Sequence, residues 1–291
     1  MLTLNKNKNL FNQLSTIYAA TIDDSVQNQM QIKSLSDTKL LQSPQYNQSL
    51  NMHYKSYNIY RGDTGLKYPI AEIMPGKRRS QNTHNVYTTL LSYLLPSWKQ
   101  YPKRSESFIC TNNMDKAAIY GDYDDNSVYY VFPENDVKIG VCPERDIWLS
   151  FPTLLHDYEV GNMREFNEYF TDLLKAYSKL TYEEIYNMFK TENIQQIKEL
   201  FNIVEHNIRS HILCDYKISL YPYLIEKLTA HIENDNNATL ISILDDVLNP
   251  TKNGFMLLNN MNELSKVNAT KPHEMWFSGK CIMISAIAMY A

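Results

Sequence analysis

The spacing of apolar residues changes period twice along this chain, and that change restricts the fold more than any other feature. Over residues 153–249, Phe166, Phe170, Leu173 and Leu174 recur at the 3.6-residue spacing of an amphipathic helix. Ile185, Met188 and Phe189 repeat the pattern, as do Ile197, Leu200, Phe201 and Val204. Thr181 with Glu184 reads as a capping box. Further helices are expected over 220–232 and 239–248, closed by Pro250 and Gly254. On both sides of this block the pattern is that of short strands: Phe108-Ile109, 128–133, 137–143 and 275–284. A helix-period segment does not sit as a strand, so the expected class is α+β, a strand-rich core split by a large all-helical insertion. The expected division is an N-terminal arm over 1–50, a first core segment over 51–152, the helical insertion over 153–250 and the last core strands over 251–291.

Within the strand segments, 128–133 and 137–143 flank a Glu134-Asn135-Asp136 turn and are expected to form a hairpin. Glu274-Met275-Trp276-Phe277 and the apolar run from Cys281 flank Ser278-Gly279 and invite the same reading, with 281–291 as a buried terminal strand. Residues 86–95 have helical spacing stopped by Pro96, and 114–120 make a short helix ending at Gly121. In the Asn-, Gln-, Ser- and Lys-rich arm, Leu10, Leu14, Ile17 and Tyr18 suggest one amphipathic helix followed by a loosely ordered or surface-packed segment.

The net charge of −4 argues against a chain-wide nucleic-acid footprint. A local basic group, Lys77, Arg78, Arg79, Lys103 and Arg104, with tyrosines nearby, keeps a single-strand-binding reading open. Cys110, Cys142, Cys214 and Cys281 are scattered, with no CxxC pair, which resembles neither a zinc site nor a disulfide framework. His206 and His211 lack a third ligand nearby, so no metal is expected. No signal peptide or membrane span is read, and a cytoplasmic location without membrane partners is the expectation.

Three short motifs carry chemistry. Arg61 ends a short strand at Tyr60-Arg61-Gly62, where a guanidinium suits a bidentate grip on phosphate and Gly62 keeps the backbone close. Phe108-Ile109-Cys110-Thr111-Asn112 follows Ser105 and Ser107, with Ala118 and Tyr120 further on. Glu274 stands at the mouth of an apolar strand, where a carboxylate is readily held and tuned.

In their order and local contexts these motifs resemble the mono-ADP-ribosyltransferases of the Arg-Ser-Glu type, over segments 55–150 and 255–291. The resemblance implies an ADP-ribosyltransferase-like core that uses NAD as substrate and needs no metal. It implies transfer of ADP-ribose to a macromolecule, a host protein or nucleic-acid acceptor, in the manner of a bacterial effector or bacteriophage protein, with action in a cytoplasm, including that of a host. It makes Glu274 the catalytic carboxylate and Arg61 the phosphate or ribose contact beside Gly62. Thr111 and Ser107 would orient Glu274 and the ribose, and Tyr120 would pack on nicotinamide. Arg61 and Glu274 are then expected to face one cleft. The chain departs from the pattern at Cys110 and Asn112, which stand for the two serines of a Ser-Thr-Ser run, and at Pro272, where family members that modify Arg or Asn usually carry Glu or Gln. The other reading is a binding or virion-associated protein that keeps such a fold without catalysis.

Overall fold

A computed structural model describes residues 31–34, 43–66, 68–77, 85–124, 127–215 and 223–290. The amphipathic helix expected around Leu10–Tyr18, and Arg78 and Arg79 of the basic group, lie outside the described residues. The chain divides into two compact units, one drawn from residues 1–78, 106–145 and 257–291 and the other from 79–105 and 146–256.

The first unit is built on a sheet. Its strands are β1 (Gln31–Ser34), β2 (Tyr60–Gly62), β3 (Ile70–Met74), β4 (Phe108–Thr111), β5 (Val128–Pro133), β6 (Ile139–Val141), β7 (Met256–Leu258), β8 (Glu274–Phe277) and β9 (Cys281–Ser285). They lie in the order β1-β3-β9-β5-β2-β4-β8-β6-β7, open at both edges. From β1 to β6 in that order, neighbouring strands pair antiparallel. The architecture is therefore α+β.

Both expected hairpins are corrected by this order. The strands form where the alternation placed them, but β5 pairs with β2 and β9, while β6 pairs with β8. Likewise β8 pairs with β4 and β6, and β9 with β3 and β5. A Gly-containing turn signals a change of direction but does not choose the partner. Three strands separate β8 from β9 in the sheet order. Four interstrand spacings on a flat sheet would be roughly 19 Å, whereas four extended residues reach only about 14 Å. The sheet must therefore curl for residues 278–280 to connect the two strands.

The arm is also partly corrected. Gln31–Ser34 add to the sheet edge against β3, and a helix over Asn47–Tyr54 packs into the unit. Tyr46 is fully buried, its hydroxyl donating to Glu72 at 3.0 Å. Asn135 fastens the segment by accepting from Gln48 N at 2.9 Å and donating to the Pro44 carbonyl at 2.7 Å. These partners are more than 80 positions away, beyond the reach of a local pattern. The terminal run is strand only to Ser285 and then turns into a short helix, Ala286–Tyr290. One sheet face packs Ile70, Val128, Tyr130, Phe132, Ile282 and Ile284 against Tyr46, Ala117, Ala286 and Ala288.

In the second unit the expected helices appear as Pro152–Tyr158, Met163–Ala176, Tyr182–Lys190, Ile194–Arg209, Tyr223–Asn234 and Leu240–Val247. The Thr181–Glu184 capping box is formed, with Thr181 N donating to Glu184 at 2.7 Å and Glu184 N to Thr181 Oγ1 at 3.3 Å. Phe166 stacks on Phe170, and Phe201 meets Phe170 edge-on at 5.7 Å, so the apolar stripes read from sequence do form one core. This unit also takes residues 79–105 from the expected first core segment. The reason is visible at Trp98, which packs against Phe151 and Phe255 and donates its indole N–H to the Leu248 carbonyl at 2.8 Å.

Glu205 gives this unit a pH dependence. Its buried carboxylate accepts the N–H of Leu240 at 2.7 Å, at the first turn of the Leu240–Val247 helix, where that donor has no partner within the helix. Burial raises the Glu205 carboxyl above its ordinary value, while the Leu240 N–H and Arg209 pull it partway back. The native state thus holds the proton more tightly than the unfolded chain. Stability contributed at this site falls as pH rises from the ordinary carboxylate range through the raised value. Glu205→Gln keeps the acceptor and removes the charge, so its melting temperature should gain on that of the parent between about pH 4 and about pH 7. Parallel melting curves for the two across that range would refute this account.

Candidate functional site

The three motifs meet at the centre of the sheet. Tyr60 stands opposite Thr111, and Thr111 opposite Glu274, so one row of residues crosses β2, β4 and β8. Side chains in one row leave a sheet on the same face, which puts Tyr60, Thr111 and Glu274 together. Glu274 is 5 % exposed, and the Cys142 Sγ lies 3.9 Å from its Oε1. Its backbone is fixed on both sides of the peptide: Glu274 N donates to the Glu144 carbonyl at 3.1 Å, and its own carbonyl accepts from Cys142 N at 2.8 Å.

Arg61 is the next residue along β2, and alternation turns it to the other face, away from Glu274. There the guanidinium lies 5.7 Å from the centre of the Phe108 ring and donates to the Ile109 carbonyl at 2.9 Å. Its Nε and Nη2 grip Asp63 at 3.1 and 3.0 Å. The expectation that Arg61 and Glu274 face one cleft is corrected on this point: their strands flank β4 on either side, but their side chains diverge. A period of two decides the face, and Arg61 is out of phase with the Tyr60–Thr111–Glu274 row.

Ser107 is buried and precedes β4, while Thr111 ends it, so the two are separated by roughly 13 Å of extended strand. Ser107 thus belongs near the Phe277 end of β8 and not beside Glu274. The Thr111 hydroxyl accepts from Asn113 N at 3.2 Å. Tyr120 ends the Met114–Tyr120 helix and is 57 % exposed. That helix lies directly on β2 at Gly62: a Cβ there would sit 2.1 Å from the Ala117 carbonyl oxygen. A shallow groove of about 390 Å³ lined by Met74, Pro75, Gly76, Lys77, Glu106, Ser278 and Gly279 lies at the opposite end of β8 from Glu274.

Two residues missed from sequence stand beside Glu274. The His273 ring is buried, its Nδ1 2.8 Å from the Cys142 carbonyl, and because a carbonyl oxygen only accepts, Nδ1 carries the proton of that bond. Asn112 ties the end of β4 to the Asn268–His273 loop. His273 is adjacent to Glu274 in sequence, which was a usable signal; Asn112 gave none beyond its departure from Ser.

Arg104 of the basic group is buried and Lys103 lies 4.8 Å over the Tyr93 ring, so neither is laid out as a phosphate-tracking groove. Among the described residues no group of three His, Cys, Asp or Glu side chains is placed to hold a metal ion, and no helix is long and apolar enough to cross a membrane. No protein-family model, curated protein or solved structure matches the chain.

Proposed function

We propose that this protein transfers ADP-ribose from NAD to a macromolecular acceptor, with Glu274 as the catalytic carboxylate. The observation that carries the reading is the adjacency of the three motif strands, with Tyr60, Thr111 and Glu274 in one row although they span more than two hundred positions. Cleaving the nicotinamide–ribose bond sends the bonding electron pair to nicotinamide and leaves positive charge on the ribose. A fixed carboxylate stabilises that charge, as in glycoside cleavage. Glu274 would accept a hydrogen bond from the ribose 2′-hydroxyl while a nucleophile of the acceptor adds at the anomeric carbon. Tyr120 stands exposed on the helix that covers β2 and would pack on the nicotinamide ring in this reading. Arg61, engaged by Asp63 and the Ile109 carbonyl, acts in this reading as a brace between β2 and β4.

That same engagement favours a second reading, a binding protein that keeps the strand arrangement without catalysis, because the dinucleotide phosphates would then lack their Arg. Incubating the protein with NAD labelled in the adenylate part, with and without cell extract, separates the two. Label on protein or nucleic acid that is absent with Glu274→Gln supports transfer. No label and no release of nicotinamide supports the non-catalytic reading.

A further inference from the structure

Asn112 sits immediately after β4, and its amide makes three side-chain hydrogen bonds to one loop. Its Nδ2 donates to the Lys271 carbonyl at 2.9 Å and to the Asn268 carbonyl at 3.3 Å, and its Oδ1 accepts from His273 N at 2.7 Å. Its backbone N–H adds a longer bond to the His273 carbonyl at 3.4 Å. The loop thus held runs directly into Glu274. On the β6 side the same loop is tied by Lys271 Nζ to Glu144 at 2.8 Å and by the His273 ring to the Cys142 carbonyl. The segment before Glu274 is clamped between the ends of β4 and β6, and Asn112 supplies the β4 jaw.

Only a primary amide fits this position. It must donate to two carbonyls and accept from one N–H at once, which one short hydroxyl cannot do and a carboxylate, having no donor, cannot do either. We propose that Asn112 is a positioning residue: its amide latches the Asn268–His273 loop to the end of β4 and so sets where the Glu274 carboxylate enters the site. The proposal rests on the transferase reading for its catalytic consequence, but the latch itself can be read without any activity. Asn112 touches no reacting atom in this scheme and acts only through the loop.

Asn112→Asp is nearly isosteric, keeps the acceptor toward His273 N and turns the two donor contacts into repulsions. Asn112→Ser shortens the side chain and breaks both kinds of contact. Amide hydrogen exchange over residues 268–274 should rise by about tenfold or more in both variants, while exchange in the Ile194–Arg209 helix stays at the parent rate. NAD turnover should fall by roughly tenfold or more with NAD affinity within about threefold of the parent, since a displaced carboxylate costs transition-state contact before ground-state contact. Unchanged exchange over 268–274 overturns the latch. Faster exchange with parent-like turnover overturns the positioning role, because the loop then moves without consequence for Glu274. If the parent itself turns over no NAD, the transferase reading fails separately, and exchange alone decides the latch.

Discussion

Glu274→Gln should leave the fold intact and lower NAD turnover by about 10²–10³-fold, roughly 3–4 kcal/mol of barrier. Gln has the shape of Glu and can still accept a hydrogen bond, so the β8 pairing with β4 and the backbone bonds to Cys142 and Glu144 survive. What is lost is the negative charge facing a developing oxocarbenium ion. That contact strengthens only as the glycosidic bond breaks, so NAD affinity should change far less than turnover. Arg61→Ala should behave differently. It removes a cation from Asp63, a donor from the Ile109 carbonyl and a stacking partner from Phe108, so its first effect is on melting temperature. Turnover, NAD affinity and thermal melting measured on both variants give two distinct profiles. Parent-like turnover in Glu274→Gln would remove the catalytic assignment. An Arg61→Ala protein that melts with the parent yet binds NAD much more weakly would return Arg61 to the role of a dinucleotide contact.

Gly62→Ala is expected to be the most damaging single methyl group in the strand unit. The added Cβ would lie 2.1 Å from the Ala117 carbonyl oxygen, 2.5 Å from the Gly121 nitrogen and 2.8 Å from the Tyr120 carbonyl carbon. All three are backbone atoms, and the Ala117 carbonyl already accepts from Gly121 N at 3.0 Å, so it cannot swing aside without breaking the end of its helix. The helix must instead lift off β2, which opens the core around Ala117, Val128 and Tyr130. Overpacking of this kind typically costs about 1–3 kcal/mol and more where backbone blocks the relaxation. Here the upper end, about 3 kcal/mol, is expected in chemical denaturation. Gly65→Ala is the control: its Cβ would meet only the Asp63 side chain at 3.4 Å, an ordinary contact, and should stay within about 0.5 kcal/mol of the parent. Equal stability of Gly62→Ala and the parent would mean that the helix does not press on β2 as described.

The chain itself determined which segments are helix and which are strand. The 3.6-residue stripes through Phe166, Phe170, Leu200 and Phe201, the Thr181 cap and the stop at Pro250 are local signals, and the amphipathic helices they mark each bury that stripe. The sequence also marked Tyr60-Arg61-Gly62, Phe108–Thr111 and Glu274–Phe277 as strands, and these became three neighbours in the sheet. It pointed to Gly62 as a place of close backbone approach, although the partner proved to be a helix of the same unit.

Strand partners, faces and unit membership came only from the tertiary structure. A Ser-Gly turn says that the chain bends, but whether β8 folds back on β9 or crosses to another part of a curled sheet depends on which distant strands compete for each edge. The side chains of Arg61 and Glu274 diverge because pairing register, not motif order, sets the phase of alternation, and register is fixed by partners far apart along the chain, Tyr60 with Thr111 and Thr111 with Glu274. Trp98 left the strand segment for the helical unit because its indole N–H and ring found their acceptor and aromatic neighbours there. Asn112 was unreadable for the same reason. A single Asn beside a strand has no local partner that explains it, and its three side-chain contacts lie more than 150 positions downstream. Periodicity is a property of neighbours along the chain, whereas the charge, hydrogen-bond and packing complementarity that assembles this site acts between segments brought together only by folding.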